Sequence, residues 1–195
     1  MTRLGSLVLI LLLASCVSYT LVPPARTNVT GGYSVASTVA WNKRTLSGEE
    51  RWTRDGDTLQ EVIFVSADSG KKLLASMLGD PPNFNQALIR ETPKTMPLYD
   101  KAMSPLDVKE LIESSLTLAG LSNLETGDFR PAKFGTSDGF RFEFTGARRE
   151  GLKQQGFAVG RQTANSLQLV IFLAAATYYY DRDVPEAARI VASIQ

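Results

Sequence analysis

The spacing of apolar and polar residues changes several times along the chain, and each change marks an element. Tyr33, Val35, Val39 and Trp41 share one face of an extended segment, with Ser34, Thr38 and Ala40 on the other, directly after Gly31-Gly32. This alternation predicts a first strand. Trp52-Thr53-Arg54 begins a second, and Asp55-Gly56-Asp57 has the form of a hairpin turn. Residues 59–65 return as a strand in which Leu59, Ile63 and Val65 share a face with Glu61, while Val62 and Phe64 point the other way. Both faces of that strand are expected to be covered.

Residues 66–104 lose this regularity. Pro81, Pro82, Pro93 and Pro97 break any long element and leave room for a short helix at 84–89. The stretch is either a functional segment or a surface excursion over one sheet edge. Ser104-Pro105-Leu106-Asp107 then reads as a helix start: Ser104 can cap free amides, Pro105 suits the first helical position, and Asp107 favours the positive end. Val108, Leu111, Ile112, Ser115 and Ala119 form its apolar stripe, flanked by Leu118, and Gly120 stops it.

From Leu121 the pattern has a period of two. Strand pieces surround Arg130-Pro131, Asp138-Gly139 reads as a tight turn, and Phe140, Phe142 and Phe144 alternate with Arg141, Glu143 and Thr145. Burying each phenylalanine is worth about 1.5–3 kcal/mol before entropy. Arg148 to Gly151 is the next turn. Residues 152–163 follow as a strand with Phe157 and Val159, and with small residues at Gly156, Ala158 and Gly160. After Asn165-Ser166, Leu167 to Tyr178 is almost continuously apolar and reads as a central strand covered on both faces. Ala174-Ala175-Ala176 keeps a buried helix open there. Asp183 is expected to cap a final helix containing Pro185, Glu186, Ala187, Ala188, Val191 and Ile194. Strands, a crossing helix, an antiparallel meander and a closing helix define an α+β protein: an antiparallel sheet with helices packed on its faces.

The beginning of the chain follows a different rule. Met1-Thr2-Arg3 carries one positive charge, and the apolar run Leu4 to Leu13 is too short for a membrane span of about 20 residues. Leu13-Ala14-Ser15-Cys16 resembles the lipobox of bacterial lipoproteins: Leu, two small residues, then Cys. That resemblance implies removal of residues 1–15, a diacylglycerol thioether on Cys16 and an acylated amino terminus. Several acyl chains anchor far more firmly than one. Val17 stands where many inner-membrane lipoproteins of Gram-negative bacteria carry Asp, so the resemblance implies the outer membrane. Residues 16–30, with Pro23-Pro24 and few core residues, read as the lipidated start and its tether. Tyr19 to Val22 could alternatively be an edge strand. Residues 31–195 form one α+β domain.

The mature elements are similar to the Mog1/PsbP-like fold. The similarity rests on the early strand ending in Trp41-Asn42, the Ser104–Gly120 helix, the apolar strand Leu167–Tyr178 and the closing helix Val184–Ile194. Members of that group act as binding or accessory factors, which is what the resemblance implies here.

Composition narrows the chemistry. There are 21 basic against 20 acidic residues, and Arg3 would leave with the signal segment, so the mature side chains balance. A neutral surface speaks against nucleic acid, which wants a basic face. With no histidine, the commonest general base and metal ligand are missing. The one cysteine would be consumed by lipid, so no cofactor or metal is expected.

Ser69-Gly70-Lys71-Lys72 lacks the spacing of a phosphate loop, and no histidine is present to complete a serine triad. Asp55 and Asp57 could meet Ca²⁺ but read as turn residues. Asp181-Arg182-Asp183 reads as a cap with local ion pairing. Tyr178-Tyr179-Tyr180, Trp41 and Trp52 read as half-buried core rather than a binding platform. The expected role is a non-catalytic lipoprotein domain binding an envelope protein or component. Two alternatives stand beside it: a carboxylate-based envelope hydrolase using Glu61, Glu143 or Asp128, and a carrier of a small hydrophobic ligand.

Overall fold

In a computed structural model, the structure describes residues 19–46, 48–74, 96–148 and 151–195. The nominated lipidation residue Cys16 and the short helix expected at 84–89 lie outside the described residues. Among the described residues, eleven strands and two helices follow in the order β1 (Thr20–Val22), β2 (Arg26–Val29), β3 (Tyr33–Ala36), β4 (Trp41–Leu46), β5 (Glu49–Thr53), β6 (Gln60–Asp68), α1 (Pro105–Leu118), β7 (Ser122–Thr126), β8 (Arg130–Phe134), β9 (Ser137–Ala147), β10 (Lys153–Gln162), β11 (Ser166–Ala175) and α2 (Tyr179–Ala192).

Nine strands make one antiparallel sheet in the order β1-β4-β5-β6-β11-β10-β9-β7, with β8 also pairing β9. β2 and β3 form a separate ribbon. β11 sits in the middle, as its unbroken apolar sequence demands: Leu167, Leu169, Ile171 and Leu173 enter the core under α1, and Val170, Phe172 and Ala174 the core under α2. β6 divides the same way. Covering both faces of these strands requires a helix on each side of the sheet.

The meander packs large against small. Phe140 lies opposite Gly160, Phe142 opposite Ala158 and Phe144 opposite Gly156. Three rings therefore find room over three residues with little or no side chain.

α1 begins as its sequence implies. The Ser104 hydroxyl accepts from the Asp107 amide and Asp107 accepts from the Ser104 amide, a reciprocal capping box. Val108, Leu111, Ile112 and Leu116 are buried, and the buried Ser115 hydroxyl donates to the Leu111 carbonyl (2.7 Å).

Four expectations change. Residues 20–29 are not a free tether: Thr20, Leu21 and Val22 pair with Lys43, Asn42 and Trp41, the edge strand that stood as the alternative for Tyr19 to Val22, and Arg26–Val29 pairs with β3. Val22 (2% exposed) and Val29 (7%) are core residues too widely spaced to show a period.

The strand expected from Tyr33 to Trp41 breaks in two, because residues 37–40 serve α2 instead of a ladder. Glu186 accepts from the Ser37 hydroxyl (2.9 Å) and from the Thr38 amide and hydroxyl (both 2.7 Å), and Trp41 Nε1 donates to Ser37 Oγ (2.8 Å).

The turn expected at Asp138-Gly139 falls at Gly135-Thr136, where Gly135 is left-handed (φ 62°). Gly139 is instead a close-approach position, where a Cβ would stand 2.3 Å from the Gly160 carbonyl.

Finally, β11 ends at Ala175 and α2 starts at Tyr179, a turn before Asp183 and with Pro185 inside it. Asp183 is fully buried against Arg54 (2.7 Å) and Arg182 (2.6 Å), and the Tyr180 ring lies 5.9 Å from that of Phe172. These contacts anchor a turn ahead of the proline, so the Asp-x-Pro signal does not mark the helix start.

Glu186 joins α2 to the chain ahead of β4, and its titration has a readable consequence. Burial acts to raise its carboxyl, but hydrogen bonds from Thr38, Ser37 and Arg189 outweigh it and hold the group below the ordinary glutamate value. A depressed carboxyl contributes stability that is present above the unfolded-state value and is lost as pH falls through the folded-state value. Glu186→Gln is therefore expected to flatten the loss of melting temperature between neutral pH and about pH 3, as followed by circular dichroism. A wild-type slope in the variant would refute the assignment.

Candidate functional site

Of the three carboxylates nominated from sequence, Glu61 and Glu143 prove to be occupied by arginines. Glu61 is fully buried on β6, accepting from Arg51 Nη1 (3.0 Å) on one oxygen and from Arg148 Nη2 (3.0 Å) on the other. Burial pushes its carboxyl up, and the two guanidinium groups pull against that. Arg148 also reaches the Asp57 carbonyl (3.1 Å), so this cluster ties β5 and β6 to the β9–β10 hairpin.

Glu143 lies on β9 in an open groove of about 390 Å³ lined with Glu125, Thr126, Thr145, Gln155 and Tyr180. Arg130 grips it through two nitrogens (2.7 and 2.8 Å), and Arg141 Nε donates as well (2.8 Å). Burial acts to raise its carboxyl; the hydrogen bonds from Arg130 and Arg141 win and hold it below the ordinary value. Three hydrogen bonds from guanidinium groups favour the carboxylate form, whereas the acid partner in glycoside hydrolysis works from the protonated form.

Asp128 precedes β8, is exposed, and acts on Arg130 by charge. Glu61 and Glu143 stand on strands separated by β11 and β10, so the sheet does not bring them together.

The groove itself was not legible in the sequence. A second hollow of about 360 Å³ continues it, sharing Glu125, Thr145 and Gln155 and ending at Lys153 and Ala176. The two hollows form an open trough at the β7 end of the sheet, lined by both polar and apolar groups of β7, β9 and β10. Tyr180, whose hydroxyl burial pushes up, closes one side, and the Arg141 guanidinium stacks 3.9 Å above the Phe157 ring. Alternation placed Glu143 and Thr145 on one face of β9, and left Glu125 and Gln155 unmarked. Only the antiparallel pairing of Gln155 with Thr145 and of Glu125 with Thr145 gathers them.

The remaining nominees have structural partners. Asp57 pairs with Arg44 (2.9 Å) and accepts from the Tyr19 hydroxyl (3.2 Å); Asp55 pairs with Arg182. Among the described residues no cluster of three or more acidic or sulfur-bearing side chains is arranged to hold a metal. At Ser69–Lys72 the Gly70 amide donates to the Tyr99 carbonyl (2.7 Å) and the Tyr99 amide to the Lys71 carbonyl (2.8 Å), so the turn is closed on the protein's own backbone. Trp41 and Trp52 are core residues with rings 6.4 Å apart, as expected. Tyr179 and Tyr180 pack on the α2-side core, whereas Tyr178 is 63% exposed at the helix N-cap with φ 74°.

The chain is similar to several solved structures. Cyanobacterial PsbP (CyanoP) from Synechocystis superposes with a TM-score of 0.55 at 10% identity, covering 93% of this chain and 94% of its own. A protein from Bacteroides thetaiotaomicron (TM-score 0.48, 10% identity) aligns with 89% of this chain, which spans about half of its length, 48%. LpqN of Mycobacterium tuberculosis, a protein involved in cell envelope biogenesis, gives 0.42 at 11% identity, covering 91% of this chain and 84% of its own. No protein-family model and no curated protein matches the chain by sequence. The near-complete mutual coverage with CyanoP makes the fold PsbP-like, the α+β architecture that the order of elements implied.

Proposed function

We propose that this protein is a lipid-anchored envelope lipoprotein whose PsbP-like domain is a non-catalytic binding or accessory module. It is held through Cys16 at the periplasmic face of the outer membrane and binds an envelope protein or component. The observation that carries the binding part is the state of the nominated carboxylates: Glu61 sits between two arginines in the core, and Glu143 is pinned by two more in an open trough. Such a trough offers fixed charge and hydrogen-bonding groups to a partner surface rather than a proton-transfer pair. The PsbP-like fold agrees, as an analogy between folds. The anchor rests on Leu13-Ala14-Ser15-Cys16. Among the described residues no helix is long and apolar enough to cross a membrane.

Cys16→Ala is expected to move the protein out of the membrane fraction and to abolish acylation seen by mass spectrometry of the native protein. Retention of the variant in washed membranes would defeat the anchor. For the binding role, a photocrosslinker at position 125 in intact cells is expected to give a discrete adduct that Glu143→Arg removes. A clean absence of adducts from position 125 would count against the trough as the binding surface.

A further inference from the structure

We infer that the edge strand β1 is a membrane-docking element: its exposed Leu21 and the preceding Tyr19 rest on the phospholipid surface, and the sheet projects the β7-end trough away from it. The inference rests on the proposed acylation of Cys16 and adds an orientation to it.

Three residues, 17–19, separate Cys16 from Thr20, the first residue of β1. A fully extended chain spans at most about 3.6 Å per residue, so Thr20 lies within about 14 Å of an anchored Cys16. A domain of this size is about 40 Å across, from its expected radius of gyration. The leash is therefore shorter than the radius of the body it holds, and the far side cannot be turned to the bilayer.

β1 cannot extend the leash by peeling away at no cost, because Val22 is buried (2% exposed) opposite Trp41. Among the described residues nothing pairs with its outer edge, and β1 ends the sheet. Tyr19, Leu21 and Pro23 alternate onto the side opposite Val22, and all three are exposed; Leu21 shows 66% of its surface and Tyr19 41%. The Tyr19 hydroxyl is tied to Asp57, which fixes its ring beside the strand. An apolar body with a polar tip suits the membrane–water boundary. Five to seven strand-to-strand steps of about 4.8 Å separate β1 from β10, β9 and β7, so the trough stands about 24–34 Å along the sheet from the docked edge. One end of the sheet is thus given to the bilayer and the other to the aqueous space.

The test uses full-length acylated protein in vesicles of phosphatidylethanolamine and phosphatidylglycerol. The single native cysteine is capped by lipid, so Leu21→Cys and Glu125→Cys each supply one free thiol for a fluorophore at an exposed position. Nitroxide-headgroup lipid is expected to quench the label at position 21 several-fold more strongly than the label at position 125. Equal quenching on vesicle-bound protein would overturn the docking and leave the anchor standing. Protein that stays out of the vesicle fraction, with Cys16 unmodified by mass spectrometry, would overturn both.

Discussion

Glu61→Ala is expected to destabilise the domain by about 3–5 kcal/mol, the range found when one partner of a buried ion pair is removed. The size follows from what is left behind. Arg51 is 4% exposed and Arg148 reaches inward from the end of β9, and both guanidinium groups would keep their charge in the space Glu61 had occupied. Glu61→Gln, whose amide oxygen still accepts from one arginine, is expected to lose less. Replacing Glu61 and Arg51 together by apolar residues of similar volume should recover part of the loss, because the charged cluster has a desolvation cost of its own. Denaturant midpoints at neutral pH, with an unchanged slope, are the measurement. A loss below about 1 kcal/mol, the range of an exposed pair, would show that water reaches the cluster and that its structural assignment is wrong. The result also bears on function, since a loss of that size assigns Glu61 a structural role.

Gly156→Ala is expected to cost at least the upper part of the roughly 1–3 kcal/mol typical of overpacking, although it adds a single methyl group. That methyl would meet the Phe172 carbonyl oxygen at 2.2 Å and the Phe144 ring at 2.6 Å. Neither can yield locally: Phe172 belongs to the central strand, and the Phe144 ring is 2% exposed in the core beneath α1. Gly120→Ala is the useful comparison, because it has open space around it but a left-handed backbone (φ 99°), a strain of about 1–2 kcal/mol. If Gly120→Ala proves the more damaging in thermal melts, the large-against-small packing of β9 on β10 is not what holds the meander together.

That packing was partly legible beforehand. Phe140, Phe142 and Phe144 announce a half-buried strand, and Gly156, Ala158 and Gly160 announce small residues at the same period. Which phenylalanine meets which small residue depends on register, and register is set by burial on both sides of the paired strands. The helix at Ser104 was legible to the residue, because cap, proline and stripe are local signals that agree. The start of α2 was not. Asp183 and Pro185 point locally to a later beginning, and only the ion pair with Arg54 and the packing of Tyr180 on Phe172 carry the helix a turn further back. The trough was hidden for the same reason: Glu125, Glu143 and Gln155 lie far apart along the chain and become neighbours through strand pairing.

From the amino-acid order alone come the α+β class, the central apolar strand, the capped helix, the neutral histidine-free composition and the lipobox-like start. These follow from periodicity, capping and composition, which act over a few residues and need no partner from elsewhere in the chain. Strand order, the incorporation of residues 20–29 into β1 and β2, the splitting of the Tyr33–Trp41 segment and the arginine partners of Glu61 and Glu143 belong to the tertiary structure. Each rests on contacts between residues distant in the chain, and a charge or a β-branched side chain carries no local mark of the partner it will meet.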